Sequence, residues 1–335
     1  MYQPVARRSF LQQLAGMTGG LALSTVPGIP ASRGAAGRLQ GIFPILQTPF
    51  TENLQIDADD FRKQIQFQIQ CGTHGMVWPQ LASEFFDLSV DERLEYAETL
   101  LRETSGRCPV VIGVQATETN TAVHYARHAH QHGANAVIAL PPYASRGTME
   151  RVFNHYRTIA GATPLPVFIQ ISTGNYGPTL SVDQCLQLAR ECPTIRYIKE
   201  EVSPVPERVH QLTNRDRDLL HGVFTGGGGR HLLNEIRHGA TGCMPAAHLT
   251  DVYVSIWKLV QTGRHAEART AFNGLLALWT FGSLHAGFPK LILKHRGVFK
   301  TSLYRTGKIA RLNDDFDRTE LAELLDGVKP YMKQP

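Results

Sequence analysis

Cysteine is scarce in this chain and placed so that it can do little. The five residues Cys71, Cys108, Cys185, Cys192 and Cys243 contain no C-x-x-C pair, and an odd number cannot all pair within one chain. A disulfide framework is excluded, a metal site is not expected, and buried free thiols are. Charge is thin as well: charged side chains make up 19% of the 335 residues, with 34 Lys and Arg against 29 Asp and Glu. The net charge of +5 is scattered, with Arg7, Arg8, Arg33 and Arg38 in or beside the N-terminal segment and no basic stripe interleaved with aromatics. Nucleic-acid binding is not expected; an enzyme favouring acidic substrates suits the balance better. No segment beyond the N-terminus runs 18 apolar residues without interruption, so no stable membrane insertion is expected there.

What is present is a globular composition, 42% hydrophobic, long enough for one large α/β barrel or two smaller domains and for a core that needs no disulfides. The first 36 residues stand apart. Arg7-Arg8-Ser9-Phe10-Leu11 precedes the weakly apolar, Gly-rich run LAGMTGGLALSTVPGIPAS. Paired arginines followed by Phe and Leu ahead of a mild apolar run match a twin-arginine export signal, which carries a folded protein to the periplasm. Residues 1–36 are read as signal and linker, with cleavage after Ser32 or Ala36, and the twin-arginine machinery as a transient partner. The alternative is a disordered basic N-terminus.

From Gly41 onward short apolar runs alternate with helical periodicity. Strands are predicted at 41–47, 75–79, 109–114, 136–142, 166–171 and 195–200, with weaker ones at 218–223 and 240–245. A helix is predicted over about 58–71, and another after Ser89, where Glu92 sits at the capping-box position. Strands separated by helices are parallel βαβ units, and eight of them in about 210 residues favour a closed (β/α)8 barrel, an α/β TIM fold, over 37–263. An open sheet is the alternative, because the last two strands are short. Residues 264–335 read as a C-terminal helical extension.

Chemistry in such a barrel sits at the C-terminal ends of its strands. The polar residues there are Gln47, Thr48, Gln80, Ser83, Glu84, Tyr143, Gln170, Lys199, Glu200, Glu201 and the run Gly226–Gly229. Lys199 ends an inward-leading strand, where a desolvated amine suits imine formation with a carbonyl. The other reading of Lys199 is a rim lysine paired with Glu200 or Glu201. Gly226–Gly229 lacks the Lys-Ser/Thr of a phosphate loop and reads as a flexible loop over the pocket. His124, His128 and His132 recur every four residues on one helix, but no matching carboxylate lies in that helix, so a solvated outer face is expected.

From GIFPILQTPF through GTHGMVWPQLASEFFDLSVDER, PPYASRGTMERVFNHY, PLPVFIQISTGNYG, YIKEE and GFPKLILKHRG, the ordered motifs resemble the dihydrodipicolinate synthase and N-acetylneuraminate lyase superfamily of Schiff-base lyases. The resemblance runs from about Gly41 to the C-terminus. It implies a (β/α)8 barrel, Lys199 as the Schiff-base residue, no metal or other cofactor, and a homo-oligomer, a tetramer or dimer. It also implies substrate contacts from Leu81, Ala82, Ser83, Gly227 and Pro245, while Tyr143, after Pro141-Pro142 at the end of the fourth strand, either lines the pocket or packs beneath the fifth loop.

The chain departs from the aldolase pattern in three places. Leu81 and Ala82 replace two hydroxyl residues, leaving backbone N–H groups to hold a substrate carboxylate. Gln170 replaces the catalytic tyrosine, and Asn175 replaces an arginine used by many synthases. With glutamine after the fifth strand and LASEFFDLSVDER after β-strand two, the chain more nearly resembles the dehydratases of 2-oxo-3-deoxy sugar acids, such as 2-keto-3-deoxyarabonate. The expected function is therefore dehydration of such an acid, a small-molecule substrate, through an imine on Lys199, with Gln170 holding a hydroxyl. The C3 base is left among Tyr143, Glu84 and a bound water, and Glu84 reads mainly as structural. A pyruvate-dependent aldolase is the second reading, and a non-catalytic periplasmic 2-oxo acid binding protein the third.

Overall fold

The structure is a computed structural model that describes residues 37–143, 147–172 and 176–333. Residues 1–36, where the export signal is expected, and Asn175 lie outside the described residues. The described residues belong to one compact unit that starts at Ala35, so the C-terminal helices are not a separate body.

Eight strands form one parallel sheet: β1 (Gly41–Ile42), β2 (Met76–Trp78), β3 (Val110–Gly113), β4 (Ala136–Ala139), β5 (Val167–Ile171), β6 (Ile195–Glu200), β7 (Gly222–Thr225) and β8 (Gly242–Cys243). Each is followed by a helix: α1 (Ala58–Gln70), α2 (Val90–Thr104), α3 (Thr119–Gln131), α4 (Met149–Ala162), α5 (Val182–Glu191), α6 (Val205–Asn214), α7 (Leu232–Arg237) and α8 (Thr250–Gln261). β1 pairs with β8, and the ring closes on its other side where Leu46 N–H donates to the Val77 carbonyl and Val77 N–H to the Pro44 carbonyl. This is the expected (β/α)8 barrel. The helices begin where side-chain oxygens satisfy orphan N–H groups: Asp57 caps α1, and Ser89–Glu92 and Ser181–Gln184 form capping boxes on α2 and α5.

Most strands are shorter than the sequence prediction, and two of the differences have a clear local cause. The seventh strand is Gly222–Thr225 rather than 218–223, because Asp216–Leu219 closes a turn and ladder pairing with β6 starts only at Gly222. The first is shorter than 41–47, because Pro44 has no N–H to give.

Period-2 alternation sorts the side chains. Phe43, Val77, Val111, Ile138, Phe168, Tyr197 and Phe224 fill the barrel interior, with Phe168 stacked on Tyr197 at 4.4 Å and edge-on to Phe224 at 5.3 Å. The outward residues pack under the helices in the largest core cluster. The C-terminal extension, α9 (His265–Gly282), α10 (Phe288–His295) and α11 (Asp315–Val328), joins α8 in a second cluster around Phe272, Leu278 and Ile292.

Candidate active site

The aromatic floor sets the level of the site. On β6, Tyr197 lies in the floor and Lys199, two residues on, points the same way one layer higher. Lys199 is only 1% exposed. The β5–β6 register puts Gln170 directly beside it, and Gln170 is fully buried. An ammonium and a carboxamide buried side by side need partners, and one group serves both. Glu201, just past the end of β6, accepts from Gln170 Nε2 at 2.7 Å and lies 3.3 Å from Lys199 Nζ, both through Oε2. Its Oε1 accepts from Gly227 N–H at 3.0 Å. Gln170 Oε1 has no hydrogen-bond partner among the described residues, which leaves an unused acceptor on the residue beside Lys199.

The glycine run after β7 is built around this carboxylate. A Cβ at Gly226 would sit 2.0 Å from Glu201 Oε1, and one at Gly228 would sit 2.1 Å from Trp279 Nε1. Tyr253 O–H also donates to the Gly228 carbonyl at 2.5 Å. The run is therefore pinned, not the flexible loop the sequence suggests. Gly227 does make a backbone contact, and in this structure the contact is with Glu201.

After β2, Leu81–Ser83 forms a single short helical turn. Ser83 Oγ accepts from Gln80 N–H at 3.0 Å and donates to the Leu46 carbonyl at 2.5 Å, so its hydroxyl is engaged in shaping the turn. Ala82 packs against the interior cluster, and Leu81 is half-buried. What this turn offers a carboxylate is backbone N–H from Leu81 and Ala82, which head the turn without intrahelical acceptors. Pro245, buried after β8, accepts from Ile45 N–H at 2.7 Å and seals the β8–β1 seam. Tyr143 packs edge-on to Phe85 at 5.8 Å and Phe86 at 5.2 Å, and burial pushes its phenol above the usual range. It does not furnish a phenolate near neutral pH.

The remaining carboxylates have other roles. Glu84, with left-handed backbone at φ 57°, forms an ion pair with Lys290 and accepts from Arg305 N–H at 3.1 Å. That is the structural role expected of it, and it removes Glu84 from the proton carriers. Glu200 points outward to Arg208, 3.0 Å from its Nε, and burial pushes its acid up to about 6. Glu235 accepts from Thr225 O–H at 2.7 Å, and burial, reinforced by the charge of Glu201, pushes it up to about 7. Both line a cavity of about 680 Å³ that borders Glu201 and Gly227; Lys199 and Gln170 do not line it.

Glu201, expected from the sequence only as one possible partner of Lys199, is the carboxylate that the structure places on it. The Glu200-Glu201 pair after Lys199 is visible, but period-2 alternation stops at Glu200, and nothing in the sequence says which carboxylate turns inward.

Comparisons with known proteins bear on the family and the fold. The Dihydrodipicolinate synthetase family matches residues 38–307. An L-2-keto-3-deoxyarabonate dehydratase of Azospirillum brasilense is 27% identical over 266 residues, covering 78% of this chain and 86% of the relative. A 4-hydroxy-tetrahydrodipicolinate synthase of Rhizobium meliloti (strain 1021) is 33% identical over 205 residues, covering 61% and 69%. The crystal structure of the dihydrodipicolinate synthase of Rhodopseudomonas palustris superposes with a TM-score of 0.78 at 23% identity, covering 88% of this chain and 99% of that one, and shows the shared fold. With a family match across its whole barrel, this chain is a lyase that belongs to the dihydrodipicolinate synthetase family.

Proposed function

We propose that the chain dehydrates a 2-oxo-3-deoxy sugar acid through an imine on Lys199, with Glu201 carrying the protons. The observation that carries this reading is the shared carboxylate: Glu201 Oε2 touches both Lys199 Nζ and Gln170 Nε2. Glu201 takes a proton from the Lys199 ammonium, and the neutral amine adds to the C2 carbonyl. The same proton then leaves with the carbinolamine hydroxyl as water, giving the protonated imine. Glu201, again a carboxylate, removes a C3 proton while the imine takes up the electron pair. It returns that proton to the C4 hydroxyl, which departs as a second water while the enamine electrons form the C3–C4 double bond. Hydrolysis of the conjugated imine consumes one water and frees Lys199, so the net change is loss of one water.

An aldol cleavage would instead need a base at the C4 hydroxyl. At the strand end where the aldolases carry a tyrosine, this chain has Gln170, whose free Oε1 suits holding a hydroxyl and whose carboxamide cannot take up its proton. Glu201 Oε2 lies 3.3 Å from Lys199 Nζ, the atom that would become the imine nitrogen, which suits removal of a proton at C3, one carbon beyond the imine. The similarity to an L-2-keto-3-deoxyarabonate dehydratase supports the same choice. The test is covalent trapping. Borohydride added with a 2-oxo-3-deoxypentonate should add the reduced ligand's mass to the peptide containing Lys199, and an adduct elsewhere, or none, overturns the reading.

The same proposal places the enzyme as a homo-oligomer in the periplasm, exported on the strength of Arg7, Arg8 and Phe10. Replacing both arginines by lysine should hold the precursor in the cytoplasm; unchanged export would remove the signal reading.

A further inference from the structure

The outer ring of helices carries a second constellation. His128 and His132 are four residues apart, His128 in the last turn of α3 and His132 at its C-cap, so both imidazoles fall on one face. Within α3 no carboxylate accompanies them, but the fold brings one across from α2. Glu98 Oε1 lies 2.9 Å from His128 Nε2 and 3.6 Å from His132 Nε2. The two imidazole rings stack with centroids 4.2 Å apart, which aims both Nε2 atoms at the same oxygen. One ligand atom from each of the three groups lies within 4.8 Å of the others. A tetrahedral ion bound at ~2.1 Å holds its ligand atoms about 3.4 Å apart, and the observed spacings bracket that value.

We propose that Glu98, His128 and His132 bind a borderline transition-metal ion of the Zn2+, Ni2+ or Cu2+ class, with water completing the coordination. Two imidazoles and one carboxylate suit these ions, whereas Mg2+ and Ca2+ want oxygen donors throughout. The side chains are graded in exposure, His128 at 13%, His132 at 39% and Glu98 at 41%, so one wall is packed and the other is open to incoming ion and water. The C-terminal carbonyls of α3 add negative potential at the site. The positive charge of Arg102 also acts on Glu98 and competes with an ion for it. The end of α3 feeds β4 at its N-terminal edge, on the face of the barrel opposite the strand ends that carry Lys199. A bound ion would staple α2 to α3 and stabilise the barrel without entering the imine chemistry.

The chain holds 14 histidines, so binding alone does not identify this site and variants decide. The full chain, purified without a polyhistidine tag and stripped with chelator, is titrated with Zn2+ by calorimetry and followed by thermal unfolding. One equivalent should bind, and at about a hundredfold excess over its Kd the melting temperature should rise by roughly 3 °C or more. His132→Gln and Glu98→Gln should lose that equivalent and the shift while keeping the metal-free melting temperature and borohydride trapping on Lys199. Cu2+ bound to the wild type should show two nitrogen couplings in its electron paramagnetic resonance spectrum. No bound equivalent, or the same equivalent and shift in both variants, would overturn the site.

Discussion

Two buried Lys–Glu pairs stand among the described residues, and they differ in what is left over. Lys290 pairs with Glu84, donates to the Leu303 carbonyl at 2.6 Å and lies between the Phe50 and Tyr304 rings, 4.5 Å from each centroid. Glu84 is also held by Arg305 N–H. That pair is held from several sides, by a carbonyl, two rings and a backbone N–H, and its effect is to tie α10 to the turn after β2. Lys199 has one described partner, Glu201, 3.3 Å away, and that carboxylate is shared with Gln170 and Gly227. Burial with spare hydrogen-bonding capacity leaves an amine and a carboxylate able to exchange protons with a ligand. Burial with the ammonium held by its carboxylate, a carbonyl and two rings yields a clamp.

The largest effect expected from this contrast is at Lys199. Lys199→Arg should abolish borohydride trapping and lower turnover by roughly 10⁴-fold or more, because a guanidinium stays protonated and forms no imine. Turnover above background in a rapid-quench assay would make Lys199 a clamp like Lys290. Glu201→Gln should cost ~10²–10⁴-fold in kcat, the range of a general acid–base group, with slower but detectable trapping. Gln170→Ala should cost about 10²-fold and leave trapping largely intact, since it positions a hydroxyl and carries no proton. Trapping lost together with turnover would place Gln170 in imine formation instead.

The clamp should answer in stability. Lys290→Met strands Glu84 in the interior and should destabilise by ~3–5 kcal/mol in urea unfolding, while Glu84→Gln with Lys290→Met should recover part of the loss. Burial draws both members toward neutrality, Glu84 upward and Lys290 down to about 8. Between pH 8 and the ordinary lysine range the unfolded chain therefore binds more protons at Lys290, and stability from this group rises with pH. Glu235 has the opposite sign. Pushed up to about 7, it holds a proton in the fold that it would lose when unfolded, so its contribution is full below about pH 4.5 and gone above about 7. Glu235→Gln should match the wild type in unfolding free energy near pH 4.5 and exceed it at pH 8, by up to about 3 kcal/mol in urea unfolding. Equal curves across that range would show that Glu235 is ionised in the fold.

Much of this was legible in the sequence because it rests on local rules. Strand alternation carried Lys199 and Gln170 to one interior layer, and Ser89 with Glu92 marked the start of α2. What was not legible depends on neighbours distant in the chain. The partner of Glu84 lies about two hundred residues on, at Lys290; the choice of Glu201 over Glu200 depends on where β6 stops; and the carboxylate beside His128 comes from the adjacent helix. The start of β7 escaped for the same reason, because ladder pairing with β6, and no change in composition, fixes Gly222 as its first residue.

Imine-linked dehydration on Lys199 is tested most directly by its product. Purified enzyme is given a 2-oxo-3-deoxypentonate and monitored in parallel by a lactate dehydrogenase-coupled assay for pyruvate and by mass spectrometry of the reaction mixture. Dehydration predicts a product lighter than substrate by one water, with no pyruvate above the control. Stoichiometric pyruvate would contradict it and assign carbon–carbon cleavage to the same lysine.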